Sequence, residues 1–138
     1  MLRVAIVVWL CAVSQSALAL DPPPTPTQLR EMASVECVQA GKDAGIDYMQ
    51  ALNRAIAKDP RGLVTLFQVP GLDGAAGEAN DAILVGLLQR WGDRSFARVL
   101  RSQKPAVREG VVAALYNFIG SDMKRLFPRT FALAPPNF

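Results

Sequence analysis

The chain has 138 residues, of which 51% are hydrophobic and 20% charged, and it contains no histidine. A length of this order suits one domain, and so apolar a composition excludes a disordered chain. The lack of histidine excludes imidazole-based zinc sites, Ser-His-Asp and Cys-His catalysis, and histidine pH switches.

The first nineteen residues have the pattern of a secretory signal peptide. Arg3 supplies the basic start and residues 4–13 form an apolar run. Ala17 and Ala19 then place small side chains where a signal peptidase needs them. The run is well short of the roughly 20 residues that span a bilayer. We therefore expect cleavage before Leu20 and export to the periplasm or the medium. An uncleaved interfacial anchor and a lipoprotein acylated on Cys11 are the alternatives.

Cleavage at this point leaves Cys37 as the single cysteine of the mature chain. One cysteine cannot form a disulfide within its own chain, so the domain must be held together by its packed core. Cys37 lies between apolar neighbours, and we expect it to be a buried small hydrophobe. An intermolecular disulfide or a nucleophilic thiol is the alternative role.

The mature chain begins with a proline-rich segment and continues with helical periodicity. Residues 20–27 contain four prolines, which predicts an extended linker. A first helix is predicted from a cap at Thr27 to about residue 40. A second is predicted over 43–58, because apolar residues recur there at three- and four-residue spacing. The two segments could also form one kinked helix.

The remaining elements are also helical. Asp59-Pro60 is a start signal for a third helix over 61–68. The glycine-rich segment 71–77 is predicted to be a loop, and Asp93 is predicted to cap the fifth helix. The later helices are predicted at 78–91, 95–103 and 105–119, the last of these being apolar enough to be central, with a final turn at 123–127.

No segment shows the period-two alternation of a strand. The sequence therefore predicts an all-α fold, a compact bundle of five to six short helices. Residues 28–127 form the single domain, and residues 128–138 form a proline-rich tail that frays or packs Phe131 loosely.

Residues 105–115 resemble the second helix of a HEAT-type repeat. Pro105-Ala106-Val107-Arg108 is followed by Ala113, Ala114 and Leu115 at the offsets of that signature. The resemblance implies that 95–103 is the partner helix of a hairpin and that Arg108 lies along its inner face or pairs with a neighbouring repeat. Gly110 departs from the pattern, which has alanine there. The resemblance extends over 95–119, has no second copy, and implies stacked hairpins that serve as a binding surface.

The charge is divided unevenly along the chain. Residues 20–89 hold five Lys or Arg against nine Asp or Glu, and residues 90–138 hold nine against three. Arg94, Arg98 and Arg101 fall on one helix face, with Arg90 and Arg108 close in sequence. Such a face can bind an acidic protein, anionic lipid head groups or a nucleic acid, or it can simply be a solvated surface.

Two further features are candidate contacts for a partner. Trp91 adjoins the arginines and would be a binding anchor if exposed, although core packing is the expected role of this residue and of both tyrosines. Asp73 lies in the glycine-rich segment. That segment lacks the Gly-Lys-Ser/Thr ending of a phosphate-binding loop and the spacing of a calcium loop, so we expect a plain helix connector.

Four carboxylates lie close together in sequence at Glu31, Glu36, Asp43 and Asp47. Asp43 and Asp47 are one turn apart on the predicted second helix and would project from the same side. A glycosidase needs such a pair inside a cleft that raises one pKa, whereas these residues lie opposite the apolar stripe. We expect them to be hydrated surface groups.

These observations predict an exported, non-enzymatic helical domain that binds another protein, with no cofactor and no metal. An inhibitor or immunity-type protein directed against an envelope-acting toxin or hydrolase is the concrete hypothesis. The first alternative is a membrane-surface or polyanion binder using the basic face at 90–108, and the second is a carboxylate-based hydrolase. Nucleic acid is the weakest partner class, because no aromatic residues interleave the arginines.

Overall fold

The structure is a computed structural model that describes residues 21–69 and 71–138, so the predicted signal peptide lies outside the described residues. The described residues are helical and contain no strand, which confirms the all-α prediction. None of their helices is long and apolar enough to cross a membrane. The helices are α1 (Pro26–Met32), α2 (Val35–Asp43), α3 (Tyr48–Ile56), α4 (Pro60–Phe67), α5 (Gly74–Trp91), α6 (Asp93–Arg101), α7 (Pro105–Ile119), α8 (Met123–Leu126) and α9 (Pro128–Phe131).

The predicted helix over 27–40 is wrong, because two short helices occupy this stretch. The cap of α1 is Thr25, not Thr27: its side chain accepts from the Gln28 amide, and Gln28 in turn accepts from the Thr25 amide. Helix α1 therefore begins inside the predicted linker. Ser34 caps α2 by accepting from the Cys37 amide, and this local bond competes with continued helix.

The predicted helix over 43–58 also begins later than expected. Asp43 is the last residue of α2, and Asp47 caps α3 through the Gln50 amide. Gly45, with φ of 74°, makes the turn between the two helices. At the next boundary α5 begins at Gly74, so the second half of the glycine-rich segment is helical rather than a loop.

Helix α5 is the central element of the bundle, in place of the predicted α7. Its residues 83–88 are all buried, which places them against neighbours on several sides. Helix α7 buries Val111, Val112 and Leu115 but leaves Phe118 56% exposed. Helix α7 is therefore apolar in composition but is not buried on every side.

The expected HEAT-like hairpin does not form. Helix α7 packs mainly against α5, and α6 packs against α9, α5 and α4. The C-terminal tail is part of the packing, because Thr130 is fully buried and the Phe131 ring lies 6.5 Å from the Tyr116 ring between centroids. The main neighbour of α6 is α9, and not the helix that follows it in the chain.

The proline-rich start of the described chain lies along α5. The Gln89 side chain donates to the Asp21 carbonyl oxygen at 3.0 Å, and Arg90 Nη1 donates to the Pro24 carbonyl oxygen at 3.4 Å. Proline supplies no N–H of its own, so side chains of α5 provide the donors that hold this segment.

Candidate binding face on α6

Helix α6 presents one apolar side and one basic side. Phe96, Ala97 and Leu100 are buried, and Phe96 packs edge-on against Phe67 of α4, with ring centroids 5.3 Å apart. Arg94, Arg98 and Arg101 are exposed. These three residues, which we call the arginine face, follow the helical spacing that brings side chains to one side. The structure thus brings these three predicted residues together on a helix fixed by its core contacts.

The arginine face has no acidic partner in the described part of the chain. The ion pairs within residues 21–69 and 71–138 join Arg61 to Asp59 at 3.0 Å and Arg125 to Asp122 at 3.3 Å. A guanidinium presents a planar set of donors that matches a carboxylate or a phosphate. The three guanidinium groups are therefore available to an external anion.

The backbone of Arg129 lies beside the start of α6, a placement that the sequence reasoning missed. The Asp93 carboxylate accepts from the backbone amides of Arg129 and Thr130, each at 2.8 Å. These bonds bring the exposed Arg129 next to the first turn of α6. They also correct the predicted role of Asp93, because the N-cap of α6 is Gly92 and no side chain caps this helix.

Arg90 and Trp91 turn towards the core instead of joining the arginine face. Arg90 is half-buried, and its Nε atom has no hydrogen-bond partner among the described residues. The indole Nε1 of Trp91 donates to the Ala55 carbonyl oxygen at 2.9 Å. Trp91 is therefore a packing residue between α5 and α3, and its ring is not the exposed anchor that a binding role would need.

Lys58 is exposed at the end of α3 and contacts both of these residues. Its ammonium lies 5.5 Å from the Trp91 ring centroid and donates to the Arg90 carbonyl oxygen. Burial, followed by the charge of Arg90, lowers the pKa of Lys58. These contacts link the end of α3 to the end of α5 and thereby fix the position from which α6 starts.

The remaining predicted partner residues lie apart from the arginine face. Arg108 is half-buried, and its Nη1 donates to the Gln103 carbonyl oxygen at 2.8 Å, so it caps the turn that follows α6. Asp73 is exposed just before α5, where it makes no capping bond. Given 1.5 Å of rise per residue, α5 separates Asp73 from Trp91 by about 27 Å.

The acidic cluster does not form the pair expected for a hydrolase. Asp43 ends α2 and accepts from the Gln39 side chain at 2.8 Å, whereas Asp47 caps α3. The expectation that both project from one helix is therefore wrong. Cys37 is buried, and its thiol donates to the Ala76 carbonyl oxygen at 3.4 Å, which fits a packing role.

The arrangement on α6 can bind anions through geometry and charge. It offers three exposed guanidinium groups on one helix that is anchored in the core. No family model, curated protein or solved structure matches this chain.

Proposed function

We propose that this chain is an exported, non-enzymatic binding domain whose arginine face docks onto an acidic surface of a partner protein. The observation that carries the proposal is the arginine face itself, three exposed guanidinium groups without an ion pair in the described part of the chain. Unpaired like charges on one surface repel one another, and an acidic partner would relieve that repulsion.

The rigidity of α6 supports a protein partner. Phe96 and Leu100 anchor the helix in the core, and the bonds from Asp93 hold α9 beside it. A surface held in this way loses little conformational freedom on binding, so more of the interaction energy is available for affinity. Paired guanidinium and carboxylate groups then fix the orientation of the partner.

The surroundings of the arginine face favour a protein over a bilayer or a single-stranded nucleic acid. The large hydrophobic residues exposed in the described part of the chain are Val35, Val38, Phe118 and Phe138, and none of them belongs to α6. Membrane-surface helices combine basic residues with an apolar face that enters the lipid. Single-stranded nucleic acids are bound through stacking aromatics. The apolar side of α6, including its aromatic residue Phe96, is buried in the core, so neither feature is exposed beside the arginine face.

The concrete form of the proposal is an inhibitor or immunity-type protein that occludes an envelope-acting toxin or hydrolase. The predicted signal peptide would carry the domain to the compartment where such a target acts. Arginine-rich surfaces suit inhibitors because they steer an acidic target into the correct encounter.

The first experiment is affinity capture from an envelope extract, with identification by mass spectrometry. The bait is the purified protein, compared with Arg94→Glu/Arg98→Glu/Arg101→Glu. A matched control reverses three exposed cations elsewhere, Arg30→Glu/Lys42→Glu/Arg54→Glu. We expect a protein that the native chain and the control retain and that the α6 variant loses. A partner retained equally by all three baits would contradict the arginine face as the site.

The second experiment separates protein binding from general attraction to anions. The purified protein is co-sedimented with vesicles of phosphatidylglycerol and phosphatidylcholine in equal parts, and it is titrated with duplex DNA. We expect weak association that disappears at physiological ionic strength, because screening removes contacts between exposed charges. Tight vesicle binding at that ionic strength, lost in the α6 variant, would replace the protein partner with a lipid surface.

A further inference from the structure

An open groove runs between α5 and α7, on a side of the bundle formed by neither α6 nor α9. It has a volume of about 440 Å³ and is also lined by the last residues of α4. Leu84 of α5 and Val107 and Val111 of α7 contribute apolar walls. A concave apolar surface of this size is in the range that small ligands occupy.

Gly110 of α7 lines the groove, and no contact of the fold requires glycine there. A Cβ atom added at this residue would meet no atom within 4 Å, and the residue is exposed within a regular helix. Glycine inside a helix is about 0.5–1 kcal/mol less favourable than alanine. Neither a close approach nor backbone geometry requires glycine here, so the fold would be more stable with a larger residue.

One end of the groove carries an uncompensated negative charge. Asp81 is the one charged residue among those lining the groove, and it pairs with no cation in the described part of the chain. It is half-buried, and this burial raises its pKa. A carboxylate beside apolar walls favours a cation that brings its own apolar part.

The neighbouring Asn80 adds a buried polar group that also lines the groove. It is 7% exposed, and its Oδ1 accepts from the hydroxyl of Tyr48 at 2.8 Å. Because Asn80 lines the groove, its amide is placed to make a polar contact with a group bound there.

We propose that the α5–α7 groove binds a small amphipathic amine. Its alkyl or aryl part packs on Leu84, Val107 and Val111, and its ammonium group lies against the Asp81 carboxylate, with Asn80 as the second polar contact. The proposal is independent of the arginine face, because the two sites share no residue.

The test is a titration of the isotopically labelled, purified protein followed by amide NMR shifts. The probes are hexylamine, hexanol and hexanoate, which share one chain and differ in the head group. We expect millimolar binding of hexylamine at about neutral pH, weaker binding of hexanol and none of hexanoate, with shifts confined to residues lining the groove. Butylamine should bind about tenfold more weakly than hexylamine, because two methylene groups leave the apolar wall.

Two variants assign the binding to the groove, each with a matched control. Gly110→Leu adds a side chain to a residue that lines the groove, at a point where an added Cβ meets no other atom within 4 Å. We expect this side chain to fill the groove and to abolish binding of both hexylamine and hexanol. Glu109→Leu puts the same side chain on the preceding residue, which does not line the groove. This variant should bind hexylamine and hexanol as the native chain does. Asp81→Asn should lower the affinity for hexylamine about threefold and leave the affinity for hexanol unchanged. Glu78→Gln, on the same helix, should alter neither affinity.

Three results would overturn the proposal. Hexylamine shifts that persist in Gly110→Leu would place the ligand elsewhere on the chain. Equal affinity for hexylamine and hexanoate would remove the role of Asp81. A dimer in sedimentation that Gly110→Leu converts to a monomer, without any hexylamine shifts in the native chain, would assign the groove to a second copy of the protein.

Discussion

The carboxylate of Asp93 accepts hydrogen bonds from the backbone amides of Arg129 and Thr130, each at 2.8 Å. One acidic side chain at the start of α6 thereby serves as the N-terminal cap of a helix 36 residues further along the chain. Helix α9 has four residues, too few to be stable alone, so this contact and the burial of Phe127 and Thr130 hold it in place.

Replacement of Asp93 by alanine should destabilise the protein by about 1–2 kcal/mol, because two backbone donors lose their acceptor. Urea unfolding measures this change, and limited proteolysis should show faster cleavage within 128–138. The control is Asp73→Ala, since Asp73 stands before α5 without making a capping bond. Equal losses in the two variants would show that the contact with α9 contributes nothing of its own.

Two helical glycines should respond to alanine with opposite signs. A Cβ on Gly62 would collide with the backbone of α3, lying 2.6 Å from the Ala51 oxygen, whereas a Cβ on Gly110 meets nothing within 4 Å. Gly62→Ala should cost about 2 kcal/mol or more, because helix backbones that already touch cannot both keep their places. Gly110→Ala should stabilise by about 0.5–1 kcal/mol. Thermal unfolding of both variants measures these changes in stability. Two changes of the same sign would contradict the prediction.

Lys58 has a left-handed backbone with φ of 65°, at the position after α3 where glycine is most favourable. Both Lys58→Ala and Lys58→Gly lose the ammonium contact with Arg90, but only glycine relieves the strain. The glycine variant should therefore be more stable than the alanine variant by about 1 kcal/mol in chemical denaturation. Lys42 is exposed and lies inside α2. There the alanine variant should be more stable than the glycine variant, because glycine is unfavourable within a helix.

Asp81 should make stability depend on pH. Because burial raises its pKa above the ordinary 3.8, the folded chain holds this proton more tightly than the unfolded chain. The stability linked to Asp81 is then full below pH 3.8 and declines as the pH rises through the raised value. Asp81→Asn should raise the unfolding temperature at neutral pH and change it little in acid. An equal effect at both pH values would argue against this linkage.

The hydroxyl of Thr130 is buried and has no hydrogen-bond partner among the described residues. Thr130→Val keeps the shape of the side chain and removes the unpaired oxygen. We expect a gain of about 1 kcal/mol in the free energy of unfolding, because the penalty of burying that oxygen disappears. Thr130→Ala removes the oxygen but also leaves a cavity, so it should be less stable than the valine variant.

Helix content could be predicted from the sequence, whereas several helix ends could not. The apolar spacing over 83–100, the cap at Asp59 and the opening proline at Pro105 predicted helices where the structure has them. The boundaries near Ser34 and Asp47 were missed because both residues can lie within a helix or cap one. The choice depends on whether the side chain bonds to the amide of Cys37 or Gln50, which neighbouring packing decides.

The basic surface, too, could be predicted from the sequence only in part. Helical spacing alone placed Arg94, Arg98 and Arg101 on one side of α6, because three- and four-residue steps always meet on one face of a helix. The same reasoning grouped Arg90 and Trp91 with them, although both turn inward, towards Pro24 and Ala55. Arg129 could not be assigned at all, since its position depends on a contact with Asp93 across 36 residues.

Periodicity and capping chemistry are local, so the sequence by itself determined that the chain is helical and that one helix carries a row of arginines. Which helix becomes central, which side chains turn inward and where a groove stays open depend on how the helices pack. Packing joins residues such as Asn80 and Tyr48, or Asp93 and Thr130, that are distant in the chain. Only the tertiary structure decided these points, because burial is a property of the assembled surfaces and not of any one segment.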